Sequence, residues 1–141
     1  MKILELNDIT VSFRMYERRF RKRELEVLHR LSLSVQEGEI VAVAGSSGSG
    51  KSILAHAVLG LLPGNAVLSG EMYYMGNLLG EKEKERLRGR EIAFIPQSVD
   101  YLDPLMKTGR QVQGTRGTKE RQRQLFQKYD LGEEAEGLYP F

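Results

Sequence analysis

Eight consecutive residues carry the clearest chemistry in the chain. Gly45-Ser46-Ser47-Gly48-Ser49-Gly50-Lys51-Ser52 fits the pattern G-x-x-x-x-G-K-[ST]. These residue types suit a phosphate chain. Glycines let the backbone close around phosphate with several N–H groups pointing inward. A helix opening at Lys51 turns its partial positive end toward the same group. The Lys51 ammonium would neutralise β and γ oxygens, and the Ser52 hydroxyl would bind Mg²⁺. Random placement of the chain's own glycines, lysines, serines and threonines yields this pattern roughly once in a hundred such sequences.

Such a loop needs a strand before it and a helix after it. Ile40–Ala44 is β-branched and uncharged, the pattern of a strand buried on both faces. Lys51–Leu62 is apolar around most of its circumference and reads as a buried helix stopped by Pro63-Gly64. Upstream, residues 3–13 read as a strand. Residues 14–26 are polar and basic (Arg14, Arg18, Arg19, Arg21, Lys22, Arg23), the look of a hairpin tip or surface loop. Residues 27–35 alternate again, and 36–39 form a turn. Downstream, 66–79 read as strand, turn, strand. Glu81–Arg90 reads as a charged, solvent-facing helix with compensating i,i+3 pairs, and Glu91–Pro96 as a second buried strand. After Gln97 the strand signals end. Thr118 is placed to cap a helix running to about Asp130, with Leu125, Phe126 and Tyr129 on one side and Gly132 as its stop.

Composition narrows the function classes. The 141 residues are 40% hydrophobic and 28% charged, as in an ordinary globular domain. No cysteine is present, so disulfides and thiolate metal sites are excluded. The two histidines, His29 and His56, read as structural. The net charge of +2 does not point to nucleic acid. Acids interrupt the first residues, unlike a signal peptide, and the longest apolar run is Ile40–Ala44, far below the ~20 residues of a membrane span. These features read as a cytoplasmic protein.

The order of motifs resembles the ATP-binding subunit of ABC transporters, in particular the oligopeptide, dipeptide and nickel importer group. The resemblance rests on Leu4–Phe13, on Gln36–Ser52, on Ile92–Gln97 and on Gln97–Pro104. It implies an α/β fold: an incomplete P-loop NTPase core with an antiparallel β-subdomain over residues 1–97, and the start of a helical subdomain over 98–141. It implies ATP and Mg²⁺ as ligands. Gly45, Ser46, Ser47, Gly48, Ser49, Gly50, Lys51 and Ser52 would hold the phosphates. Phe13 would stack on adenine, with Tyr16 as the alternative and a plain core phenylalanine as the rival reading. Gln97 would reach Mg²⁺ and the attacking water, as a catalytic and metal-side residue; otherwise it is a polar residue ending a strand. Residues 98–113 would receive the membrane permease subunit, unless Tyr101, Leu102 and Leu105 simply pack in a core. A second, homologous ATP-binding subunit is the other implied partner, and the cytoplasmic face of the membrane the implied location.

Parts of that pattern are not in the sequence. No run of four apolar residues followed by Asp or Glu comes after Gln97, and no Leu-Ser-Gly-Gly signature is present. Leu68-Ser69-Gly70-Glu71 precedes Gln97 and reads as a turn between strands. The final Gly137–Phe141 is similar to the segment just before the family's signature. The expectation is an N-terminal fragment that binds ATP without hydrolysing it, with Ile40–Ala44 and Ile92–Pro96 left as open edges. Two other readings stay open: a soluble ABC-type ATPase acting on ribosomes or nucleic acid, and a non-catalytic fragment that docks on a permease.

Overall fold

Alternation of apolar residues at the N-terminus builds a long hairpin in the computed structural model. It describes residues 1–16, 22–98, 101–115 and 117–140, without the side chains of Tyr16, Lys22 and Glu133. β1 (Lys2–Tyr16) and β2 (Lys22–Gln36) pair antiparallel. β3 (Ala66–Tyr74) joins the other edge of β1, and β4 (Asn77–Leu78) closes the sheet in the order β2-β1-β3-β4. Leu6, Ile9 and Val11 are its most deeply buried side chains. A strict two-residue period would put Leu6 and Ile9 on opposite faces. A register shift between them, with Asp8 at φ 50°, resets the alternation so that both reach the core. Across this bulge the backbones crowd. A Cβ on Gly70 (φ +95°) would lie 2.6 Å from the Asn7 and Asp8 carbonyl oxygens, so only glycine fits.

The hairpin is longer than its sequence implies. Residues 14–16 and 22–26 are strand, not loop. Cross-strand chemistry explains this: Arg14 faces Glu24, and the Ser12 hydroxyl donates to the Glu24 carboxylate. The tip residues Arg18, Arg19 and Arg21 lie outside the described residues.

α1 (Lys51–Leu59) buries Leu54, Ala57, Val58 and Leu59. It ends before the expected Leu62, because the Gly60 N–H turns back to the Ala57 carbonyl at 3.3 Å and the Leu61 N–H to that of His56 at 2.8 Å. α2 (Glu81–Leu87) is not wholly solvent-facing: Lys84 and Leu87 are buried. The Lys84 stem lies against Gly60, and its ammonium donates to Glu81 Oε1 at 2.7 Å.

Two expected strands are absent. Among the described residues Ile40–Ala44 has no ladder partner, and Glu91–Pro96 is reduced to one parallel bridge between Ile92 and Arg88. Sequence pattern selects extended backbone, but a strand also needs a neighbour with which to exchange hydrogen bonds.

Contacts divide the chain into two units, Met1–Phe94 and Ile95–Phe141. The second contains α3 (Thr108–Gln113), α4 (Lys119–Lys128) and a 3-10 turn at Glu133–Gly137. Thr118 caps α4 as expected, accepting from the Arg121 N–H at 3.2 Å. The helix stops short of Asp130, where φ turns to 54°, and Gly132 is not its stop. α3 had no clear signal. Side-chain bonds hold it: the Gln111 amide donates to the Asp103 and Met106 carbonyls at 2.9 and 2.6 Å, and Thr108 Oγ1 donates to Ala135 O.

Candidate functional site

The phosphate-binding pattern forms one continuous feature. Gly45–Ser49 are exposed, Gly50 is buried as the N-cap of α1, and Lys51 and Ser52 open the helix. Gly50 cannot be replaced in this geometry. It sits at φ +89°, and a Cβ there would come within 2.7 Å of Leu28 Cδ2 and 3.1 Å of the Val27 carbonyl oxygen. The loop is thus pressed against β2 at its last glycine, while its remaining residues face solvent. A Cβ on Gly45 would lie 2.6 Å from Ser49 Oγ, so the loop also closes tightly across its own mouth.

The Lys51 ammonium lies within that mouth. It donates to the carbonyl oxygens of Gly45 at 2.8 Å and Ser46 at 2.6 Å, and to Ser49 Oγ at 3.3 Å. A cation at the N-terminus of a nine-residue helix, beside exposed main-chain groups, is an anion-binding arrangement. The Ser52 hydroxyl is exposed one residue further on. A polyphosphate fits this donor set: the glycines leave the backbone open to close approach, and the Lys51 ammonium stands over the gap.

Phe13 is half-buried and packs against the core cluster. It pairs with Leu25 on β2, while Val11 pairs with Leu28, the residue that touches Gly50. Val11 and Phe13 are two apart on β1 and share a face. The Tyr16 side chain lies outside the described residues. Gln97 is exposed and belongs to the second unit. Tyr101, Leu102 and Leu105 are exposed at 62%, 38% and 87%, so they are not core residues here. Val99 and Asp100 lie outside the described residues.

Two features went unread in the sequence. One is the hold of Lys51 on the loop carbonyls, which no pattern of residue types encodes. The other is buried Lys84, whose spacing to Leu87 is the only hint that one stripe of a very polar helix faces inward. Among the described residues no group of three or more His, Asp or Glu could hold a metal ion by itself. No described helix is long and apolar enough to cross a membrane.

Residues 28–138 match the family described as ABC transporter. The chain belongs to that family. Its curated relatives include the dipeptide transport ATP-binding protein of Lactococcus lactis, 35% identical over 116 residues. That match covers 79% of this chain and 32% of the relative. The oligopeptide transport ATP-binding protein of Bacillus subtilis is 33% identical over 117 residues, covering 79% of this chain and 31% of the relative. The chain thus spans about a third of the length of the curated relatives it matches. Among solved structures it resembles a dimeric post-hydrolysis state of the ATP-binding cassette MJ0796 bound to ADP and Pi. The TM-score is 0.74 at 23% identity, over 98% of this chain and 62% of that one. The likeness establishes the fold: an α/β P-loop NTPase, here its N-terminal portion.

Proposed function

We propose that this chain supplies the nucleotide-binding part of an ABC importer subunit, one that serves uptake of peptides, nickel or a related solute. The observation that carries this reading is the continuous loop from Gly45 into α1, pressed against β2 at Gly50. The relatives named for dipeptide and oligopeptide transport support the importer side.

In this reading the backbone N–H groups of the loop and the helix N-terminus bind the phosphates of ATP. Lys51 exchanges carbonyl oxygens for phosphate oxygens, which accept a charge-assisted bond more strongly. Ser52 offers its hydroxyl to Mg²⁺. Phe13 offers a ring face to adenine. Gln97 orients water or senses the metal through a neutral amide. Bound Mg²⁺ would spread the charge of the β and γ phosphates. Residues 98–113, with Tyr101, Leu102 and Leu105 outward, form the contact for a membrane permease, and a homologous ATP-binding subunit completes the assembly at the cytoplasmic membrane face.

The 141 residues contain no run of four apolar residues followed by Asp or Glu after Gln97. Binding without turnover is therefore the expected behaviour of this chain. Titration of a fluorescent ATP analogue with Mg²⁺ tests it, alongside phosphate release. Saturable binding that Lys51→Ala weakens, with no phosphate release above the buffer rate, is the expected outcome. Turnover that Lys51→Ala abolishes would overturn the binding-only reading, and absence of any binding would overturn the whole.

A further inference from the structure

Among the described residues Lys84 is the only buried charged side chain, 3% exposed. A lysine usually lays its stem on apolar surface and keeps its ammonium in water. Here the head is covered as well. An ammonium carries three N–H donors. Among the described residues this one has a single hydrogen-bond partner, Glu81 Oε1 at 2.7 Å. Glu81 itself is 75% exposed. A buried donor without an acceptor is costly, so the pair calls for a further oxygen that the chain does not supply.

Lys84 and Glu81 both line a cavity of about 190 Å³ within the first unit, Met1–Phe94. Ala57, Leu62, Ala66 and Leu68 supply its apolar walls. An apolar cavity of about 150 Å³ holds benzene, so this one has room for a six-membered ring with one small substituent. The charges choose the substituent. An anion would face the Glu81 carboxylate and the C-terminal end of α1 at Gly60, which carries partial negative charge. A cation would face the Lys84 ammonium. A purely apolar molecule would leave the spare donors unmet. A neutral hydroxyl or carboxamide accepts from Lys84 and donates to Glu81.

We propose that this cavity binds an uncharged, ring-sized molecule bearing one hydroxyl or carboxamide, held by Lys84 and Glu81 together. The site lies at the opposite end of α1 from the phosphate loop, roughly 13 Å along its nine residues. It needs neither nucleotide nor a second chain, so it stands or falls apart from the proposed function.

The test is an NMR titration of the 141-residue chain with benzamide, followed through the backbone amides of Gly60, Leu61 and Lys84. Saturable shifts there, with those of Ser47–Ser49 unmoved, are expected. Benzoate, benzylamine and toluene are similar in shape and should bind at least about tenfold more weakly. Lys84→Met keeps an unbranched stem and should weaken benzamide by a similar factor. Glu81→Gln alters an exposed side chain and removes the repulsion of an anion, so this variant should bind benzoate at least about tenfold better than the parent chain does. Absence of saturable benzamide binding to the parent chain overturns the proposal and leaves the cavity to water. So does toluene or benzoate binding as tightly as benzamide, a folded Lys84→Met chain that keeps the affinity, or a Glu81→Gln chain that still rejects benzoate.

Discussion

Lys51 uses its ammonium donors on oxygens of its own loop, so nucleotide binding is an exchange of partners rather than a filling of empty space. Removing the cation removes the stronger phosphate contact and releases the carbonyls. Lys51→Ala should weaken Mg-ATP binding at least about tenfold, or ~1.4 kcal/mol, by calorimetric titration. Its urea midpoint should stay near that of the parent chain, since the lost bonds are all exposed. Gly50→Ala should behave differently. A methyl group at φ +89° against Leu28 costs on the order of 1–3 kcal/mol, and both the urea midpoint and nucleotide affinity should fall. The loop was legible in sequence because its eight residues are contiguous and each type has a role. Phe13 and Gln97 enter as site residues only through the resemblance and stay proposals. One reads equally as core, and the other belongs to a different unit, so no spacing rule links them to the loop.

Elements fell into two groups by the origin of their signals. Those set by local chemistry came through. Thr118 caps α4 from within the same turn, and Thr118→Ala should cost about 1 kcal/mol of helix stability, read as faster amide exchange in α4. The adjoining Glu120 carboxyl is held below its ordinary value of 4.5, first by its own backbone N–H and then by the Thr118 hydroxyl. A lowered value favours the folded state above 4.5 and loses that contribution as pH falls through the folded value. The protection of the α4 amides, measured against the intrinsic exchange rate at each pH, should therefore fall in acid, and Thr118→Ala should flatten that dependence. Elements that need a distant neighbour did not come through. Ile40–Ala44 and Glu91–Pro96 have interior-strand composition yet form no ladder, because composition specifies a preference while pairing requires a partner. The extra strand length at 14–16 and 22–26 is the converse case: basic residues that read as loop are paired because Glu24 stands opposite Arg14.

At the scale of the molecule, surface area is the telling quantity. Even divided into two separately compact units, a chain of this mass would expose about 8,800 Å². The chain exposes 11044 Å². Apolar surface is part of that excess, with Ile40, Ile95 and Leu105 each 87% exposed or more. Uncovered strand edges promote association. Light scattering should show self-association that rises with concentration, and Val43→Asp should suppress it without changing the circular dichroism of the sheet. The tyrosines add an alkaline limit. Tyr74 is raised above 10.0 by burial and then by Glu91, so its contribution is complete below pH 10 and declines as pH rises further. Tyr74→Phe should reduce the loss of stability above pH 10 in a urea titration.

The bare Ile40–Ala44 run also has a calorimetric signature. Apolar groups already wet in the native state add nothing to the heat capacity gained on unfolding. The chain alone should therefore unfold with a heat-capacity increment below the usual ~12–15 cal/mol/K per residue.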